Sequence, residues 1–262
     1  MRMRCDFRLD EQVAVVTGAG RGIGAAIAVA YAQAGADVVL VARTPEQLDA
    51  VADRIRAVGR TAVTVASDIR DLAQAPIIVE RAVDELGRLD VVVNNAGGAE
   101  PRAFLDSTGA ELEAAFHLNV TAAFELVKQA TSRLLDSGRG SVVNISSAMD
   151  RMVGRGLLVY GTVKAALSHM TRLLAADLAP RVRVNAIAPG VVETEGLQAA
   201  LTDAVRAQVT AATPLHRLAS VDDVAAAALW LASPAASFVT GKVIELDGGA
   251  EAPTFPNELP DL

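Results

Sequence analysis

Tyr160 and Lys164 stand four residues apart in the stretch Ser147 to Lys164. If this segment enters a helix near Val159, that step stacks the lysine ammonium beside the tyrosine phenol on one face. A free tyrosine has a pKa of about 10. Trading a proton near neutrality therefore needs roughly 2 to 3 units of depression, or ~3 to 4 kcal/mol favouring phenolate, and an adjacent cation supplies much of it. Ser147 lies thirteen positions before the tyrosine, just after a strand-like VVNI run. There it can hydrogen-bond a carbonyl oxygen while Tyr160 protonates it. Alone, Tyr-x-x-x-Lys is also what an ordinary amphipathic pair looks like, so the rest of the chain must decide.

The elements that position these groups alternate. Val13 to Thr17 reads as a strand, followed at once by GAGRGIG and an Ala-rich helix to about Ala34. A strand that delivers a glycine turn into a helix start sets free amides and the positive dipole end against a pyrophosphate. Gly18, Gly22 and Gly24 allow the tight turn and the close approach. Asp37 to Ala42 is a second strand whose end faces an adenosine ribose. Where an NAD enzyme tends to place a carboxylate, this chain has Arg43, and Arg21 adds a second cation, which favours NADP with NAD as the runner-up. Pro45 to Val58 follows as a helix capped by Thr44. Thr61 to Ala66 is a third strand, after which Asp68 either reaches an adenine amino group or serves a turn. A helix over Asp71 to Gly87 and a strand over Asp90 to Val93 lead into NNAGG. Four β-α repeats in a hundred residues mark an open parallel sheet, with the special residues on one rim.

Further on, a long helix is predicted over Glu111 to Asp136, carrying Asn119 among apolar neighbours. Ser141 to Ile145 is a strand, the Tyr160 helix runs to about Leu178, and Val182 to Ile187 leads into Pro189 and Gly190. A helix over Val221 to Leu231, capped by Ser220, and a seventh strand over Lys242 to Leu246 complete the pattern. With no internal repeat and no flexible linker, residues 1–262 read as one α/β domain: a Rossmann-type, doubly wound sheet of seven parallel strands with helices on both faces.

The composition agrees. Hydrophobic residues make up 52% of the chain but aromatics only 3%, so the core is aliphatic, as suits strands buried on both faces. A net charge of -7 argues against nucleic acid or an anionic membrane as the main partner. The single cysteine, Cys5, excludes an intrachain disulfide and fits a reducing cytoplasm. His117, His169 and His216 lack ligand spacing, so no metal site is expected. No signal peptide is recognised, and the most apolar stretch, Val224 to Val239, is broken by Ser233 and Pro234.

Taken together, TGAGRGIG at Thr17 to Gly24, NNAG at Asn94 to Gly97, Asn119, Ser147, Tyr160, Lys164 and the Pro189-Gly190 pair with Thr194 resemble the short-chain dehydrogenase/reductase family, across about Phe7 to Ala250. The resemblance implies that Tyr160 is the general acid in reduction and the base in oxidation, with Lys164 lowering its pKa and binding the nicotinamide ribose. Ser147, with Ser146 as the fallback, orients the carbonyl, and Asn119 positions a water linking Lys164 to solvent. Gly18, Arg21, Gly22, Ile23, Gly24 and Arg43 fall to the cofactor. So do Asn95, Ala96 and Gly97 at the adenosine ribose, Asp68 and Ile69 at the adenine, and Pro189, Gly190, Val192 and Thr194 at the nicotinamide amide and phosphates.

Two positions depart from the family pattern: Asp150 stands where glycine is frequent, and Thr162-Val163 precede the lysine. NNAGG before Pro101, TPLHRL at Thr213 and SPAAS at Ser233 are similar to bacterial 7α-hydroxysteroid dehydrogenases and, more loosely, to 3-oxoacyl-carrier-protein reductases. Glu195 to Ala212 is expected to cover the substrate, with Leu197, Leu201 and Val205 as an apolar stripe. A small apolar alcohol or ketone is the expected substrate. A non-catalytic cofactor-binding regulator and a dehydratase or epimerase are the other readings. A homotetramer is implied, and the tail Glu251 to Leu262 either lies over a neighbouring subunit or is disordered.

Overall fold

The computed structural model describes residues 6–198 and 201–255. Cys5 and residues 256–262 of the tail lie outside the described residues. Seven strands form one parallel sheet: β1 (Val13–Thr17), β2 (Asp37–Ala42), β3 (Ala62–Ala66), β4 (Val91–Asn94), β5 (Ser141–Ile145), β6 (Arg183–Pro189) and β7 (Val243–Leu246). Their order is β3-β2-β1-β4-β5-β6-β7, so the chain reverses direction across the sheet between β1 and β4. Open α/β sheets bind ligands at such a switch point, outside the strand C-termini.

Alternation along the strands builds two cores. Ala14, Val16, Val38, Leu40, Val91 and Val93 pack under α1 (Gly22–Gln33), α2 (Pro45–Ala57) and α8 (Val221–Ala232). Val13, Val15, Val39, Val41, Val63 and Val65 pack on the opposite face. There they meet α3 (Gln74–Leu86), α5 (Ala122–Ser137) and the end of α6 (Leu158–Leu178). Two shorter helices, α4 (Gly109–Phe116) and α7 (Asp203–Ala212), complete the fold.

The rim opposite the strand C-termini is tied together by charge. The fully buried Asp90 carboxylate accepts from the Val13 amide at 2.9 Å, from Arg88 at 2.7 Å and from Arg139 at 3.3 Å. Arg183 directs its guanidinium at the carbonyls of Leu231, Ala232, Ser233 and Ala236, which satisfies the open end of α8.

Three expected elements differ. The helix predicted over 111–136 is divided by a π-helical turn, His117–Thr121, between α4 and α5. One extra residue per turn rotates Asn119 inward, a distortion frequent at functional sites. The helix predicted from Asp71 begins at Gln74, because the Asp71 carboxylate holds the Ala73 amide in a preceding turn and leaves Pro76 where no intrahelical donor is required. Leu197, Leu201 and Val205 do not share a helix face, since α7 starts only at Asp203, where Thr202 caps the Val205 amide; the residue that α7 buries fully is Val209.

Candidate active site

A cleft of about 670 Å³ runs along the strand C-termini at the switch point. It is lined by Gly18, Arg21, Gly22, Ile23, Arg43, Asp68, Ile69, Asn95, Ala96, Gly97, Ser147, Tyr160, Lys164, Pro189, Gly190, Val192 and Thr194. Of the expected site residues, only Gly24 and Asn119 stand behind its wall.

The glycine turn makes one end. Gly18 and Gly22 have φ of +65° and +56°, the left-handed region that glycine adopts without strain. The amides of Gly22, Ile23 and Gly24 open α1 and have no helical acceptor, so an anion is favoured there. A side chain on Gly22 would grow into the gap that separates the turn from Thr194, 3.8 Å away. At Gly24 a Cβ would press into the Gly18 carbonyl and the Asn95 amide, so the glycine also seats α1 against the turn. Thr17, missed in the sequence, ties β1 to β4 by donating to Val93 O (3.2 Å) and accepting from the amides of Asn95 (3.0 Å) and Ala96 (3.1 Å). Its signal is a hydroxyl on the last residue of an otherwise aliphatic strand.

Arg21 and Arg43 are exposed at this end, and neither makes a hydrogen bond or ion pair among the described residues. Arg70, a third arginine in the cleft wall and also missed, grips Asp68 at 2.5 Å. That grip holds the Asp68 carboxyl down at about 2, with Arg43 adding to the effect. An Asp-x-Arg step just past a strand end is the pattern that could have found Arg70.

The other end gathers Ser147, Tyr160 and Lys164. Ser147 ends the β5 segment and caps a short 3-10 turn, Ala148–Asp150, by accepting from the Met149 amide at 3.2 Å. Its hydroxyl also hydrogen-bonds the Tyr160 phenol. Ser146 is committed elsewhere, to the Lys164 carbonyl at 3.1 Å and the Ser168 hydroxyl at 2.7 Å. Tyr160 and Lys164 sit one turn apart on α6, with the ammonium 5.8 Å from the ring centre. The buried ammonium donates to Ile145 O at 3.0 Å, and burial lowers it to about 8.

Burial raises Tyr160 above its ordinary value, the neighbouring Ser147 hydroxyl offsets part of the rise, and Asp150 adds to it. The proton-donating phenol is thus the form present at neutral pH.

Asn119 is 1% exposed, and its amide is engaged on both sides. Nδ2 donates to Gly98 O (2.9 Å) and Ala115 O (2.8 Å), while Oδ1 accepts from the Gly98 amide (2.9 Å). The side chain thus clamps the loop after β4. A Cβ on Gly97 would come within 2.5 Å of Asn119 Oδ1 and 3.0 Å of Lys164 Nζ, so that loop closes over both. Among the described residues no group of His, Cys, Asp and Glu could hold a metal ion, and no helix is long and apolar enough to cross a membrane.

Comparison with known proteins gives the family. The profile of a family described as Enoyl-(Acyl carrier protein) reductase matches residues 18–251. An uncharacterized oxidoreductase of Mycobacterium tuberculosis is 53% identical over 258 residues, 98% of each chain. Among solved structures, a 7α-hydroxysteroid dehydrogenase complexed with NADH and 7-oxo glycochenodeoxycholic acid superposes with a TM-score of 0.91 at 36% identity, covering 95% of this chain and 98% of the other. A 3-oxoacyl (acyl-carrier-protein) reductase of Agrobacterium tumefaciens with NADP bound gives 0.88 at 32% identity, covering 95% and 98%. This chain therefore belongs to the short-chain dehydrogenase/reductase family and is an NAD(P)-dependent oxidoreductase.

Proposed function

We propose that the protein interconverts a ketone and a secondary alcohol on an apolar small molecule of steroid, terpenoid or acyl-chain type, using NADP. The observation that carries this reading is the placement of Ser147, Tyr160 and Lys164 at one end of a cleft whose other end presents a glycine turn and two unpaired arginines. The residues fit a dinucleotide: the open amides of α1 suit its pyrophosphate, and Arg21 and Arg43 suit a 2'-phosphate better than a free hydroxyl. When bound, the nicotinamide supplies or accepts the hydride.

In this reading Tyr160 gives its proton to the carbonyl oxygen during reduction, and the Ser147 hydroxyl, already beside the phenol, orients that oxygen. Lys164 binds the ribose hydroxyls and returns charge to the phenol as the proton leaves. Asn119 keeps the Gly97-Gly98 loop closed over the lysine. Phe104, Leu105, Val153 and Leu158, exposed on segments joined by the Arg102 amide to Gly156 carbonyl bond, support an apolar substrate. Phe116, Phe124 and Leu173 on α4, α5 and α6, with Phe238 beyond α8, are also exposed, which supports a homotetramer. A cytoplasmic setting completes the reading.

Thermal shift distinguishes the cofactors. At saturating ligand, NADPH should stabilise the protein more than NADH does, with a ligand at 100 times its Kd contributing about 2.7 kcal/mol. Arg43→Ala should remove most of that difference. Greater stabilisation by NADH overturns the role given to Arg43. Screening steroid, terpenoid and 3-oxoacyl substrates by loss of reduced-nicotinamide absorbance then tests turnover, and no loss with any ketone overturns the reductase reading.

A further inference from the structure

Three strand ends meet at the reacting end of the cleft, and one side chain joins the outer two. In the sheet β6 lies between β5 and β7. Ser147 follows β5, Gly190 follows β6 and Asp247 follows β7. Arg151 closes the 3-10 turn that Ser147 caps and reaches past β6 to the β7 side. Its guanidinium donates to the Asp247 carboxylate and to Ala250 O at 3.1 Å, and pairs with Glu245 at 3.2 Å. The Asp247 side chain is only 8% exposed, so the contact is shielded from water, and its second oxygen accepts from the Gly249 amide at 3.0 Å.

Asp247 also lies against the exit of the middle strand. The Gly190 amide donates to Leu246 O at 2.9 Å, and a Cβ on Gly190 would come within 3.0 Å of Asp247 Cα. Apolar packing closes the same joint: Met152 and Ala250 are buried against Ala148, and a Cβ on Gly154 would come within 3.3 Å of Pro253. The serine turn and the Pro189-Gly190 loop are thus both fixed to the residue that ends β7, the turn through Arg151 and the loop by backbone contact.

We propose that Arg151 is a positioning residue: it holds the turn that presents Ser147 in register with the Pro189-Gly190 loop, so that a carbonyl held at Ser147 meets the nicotinamide. The proposal rests on the function proposed above. The guanidinium satisfies two carboxylates and a carbonyl in different directions at once, which the single ammonium of a lysine does not reproduce. Without it, Glu245 and Asp247 stand at one joint with no guanidinium between them, and their repulsion opens it.

The test compares the wild type with Arg151→Lys and Arg151→Met. Hydrogen-deuterium exchange on the protein without cofactor reads the joint directly. In Arg151→Met the amides of residues 148–154 and 247–250 should exchange about tenfold faster, while those of β1 and α1 keep their wild-type rates. Kinetics read the consequence, using the ketone reduced fastest in the screen above and counting active sites by NADPH fluorescence titration. In Arg151→Met kcat per site should fall about tenfold, short of the ~100-fold that a 1 Å misplacement costs, while the Kd for NADPH stays near that of the wild type. Arg151→Lys should recover only part of the loss. Unchanged exchange, or a kcat per site equal to the wild type, overturns the proposal. Full recovery by lysine overturns the need for a guanidinium. If the wild type reduces no ketone, the function proposed above fails instead, and the exchange result still decides whether Arg151 holds the joint.

Discussion

Tyr160→Phe is expected to lower kcat for ketone reduction by about a hundredfold to ten-thousandfold, the usual worth of a positioned general acid. The substitution removes one oxygen and leaves the ring, so the packing of α6 should persist. No neighbour can replace the lost donor. Ser147 has the wrong acidity, Lys164 is held by Ile145 O, and Asp150 is an acceptor bound to Ser168 and Ser146. Steady-state rates should therefore fall while NADPH still raises the melting temperature. Near wild-type turnover would show that another group moves the proton.

Lys164→Met should abolish turnover and at the same time stabilise the folded chain. Burial lowers the ammonium from 10.5 to about 8, so keeping it charged inside costs about 3 kcal/mol at neutral pH. Methionine removes that cost but leaves the Ile145 carbonyl without its donor, so the net gain is about 1 to 3 kcal/mol. The pH dependence identifies the cause. The folded pKa lies below the unfolded one, so between pH 8 and 10.5 the unfolded chain holds more protons and wild-type stability rises with pH relative to the variant. The gap is widest below pH 8 and closes towards 10.5. Denaturant melts of both proteins at pH 7 and pH 10 measure it. A less stable variant at pH 7, or a gap independent of pH, would contradict the buried-charge assignment. Such a trade of stability for a strained active-site group is common in enzymes.

The fold was legible because its signals are local. Aliphatic runs ending in glycine turns mark parallel strands, and Thr44-Pro45 and Ser220 mark helix starts where α2 and α8 begin. Most of the cleft lining followed from the same rim argument. What stayed hidden depends on contacts distant in sequence. Nothing local tells that Asn119 would find Gly98, twenty-one residues away, or that a π-turn would aim it there. The 195–205 stripe kept its spacing on paper only, because Thr202 starts α7 afresh. Arg70 carries no mark in the sequence beyond its place two residues after Asp68, the carboxylate it grips.

A crystal structure with NADP and a poorly turned-over alcohol bound bears most directly on the proton exchange proposed here. The substrate oxygen should lie within about 3.2 Å of both the Tyr160 and Ser147 hydroxyls, hydrogen-bond reach for general acid-base chemistry. An oxygen held by other side chains, with Tyr160 out of reach, would contradict it.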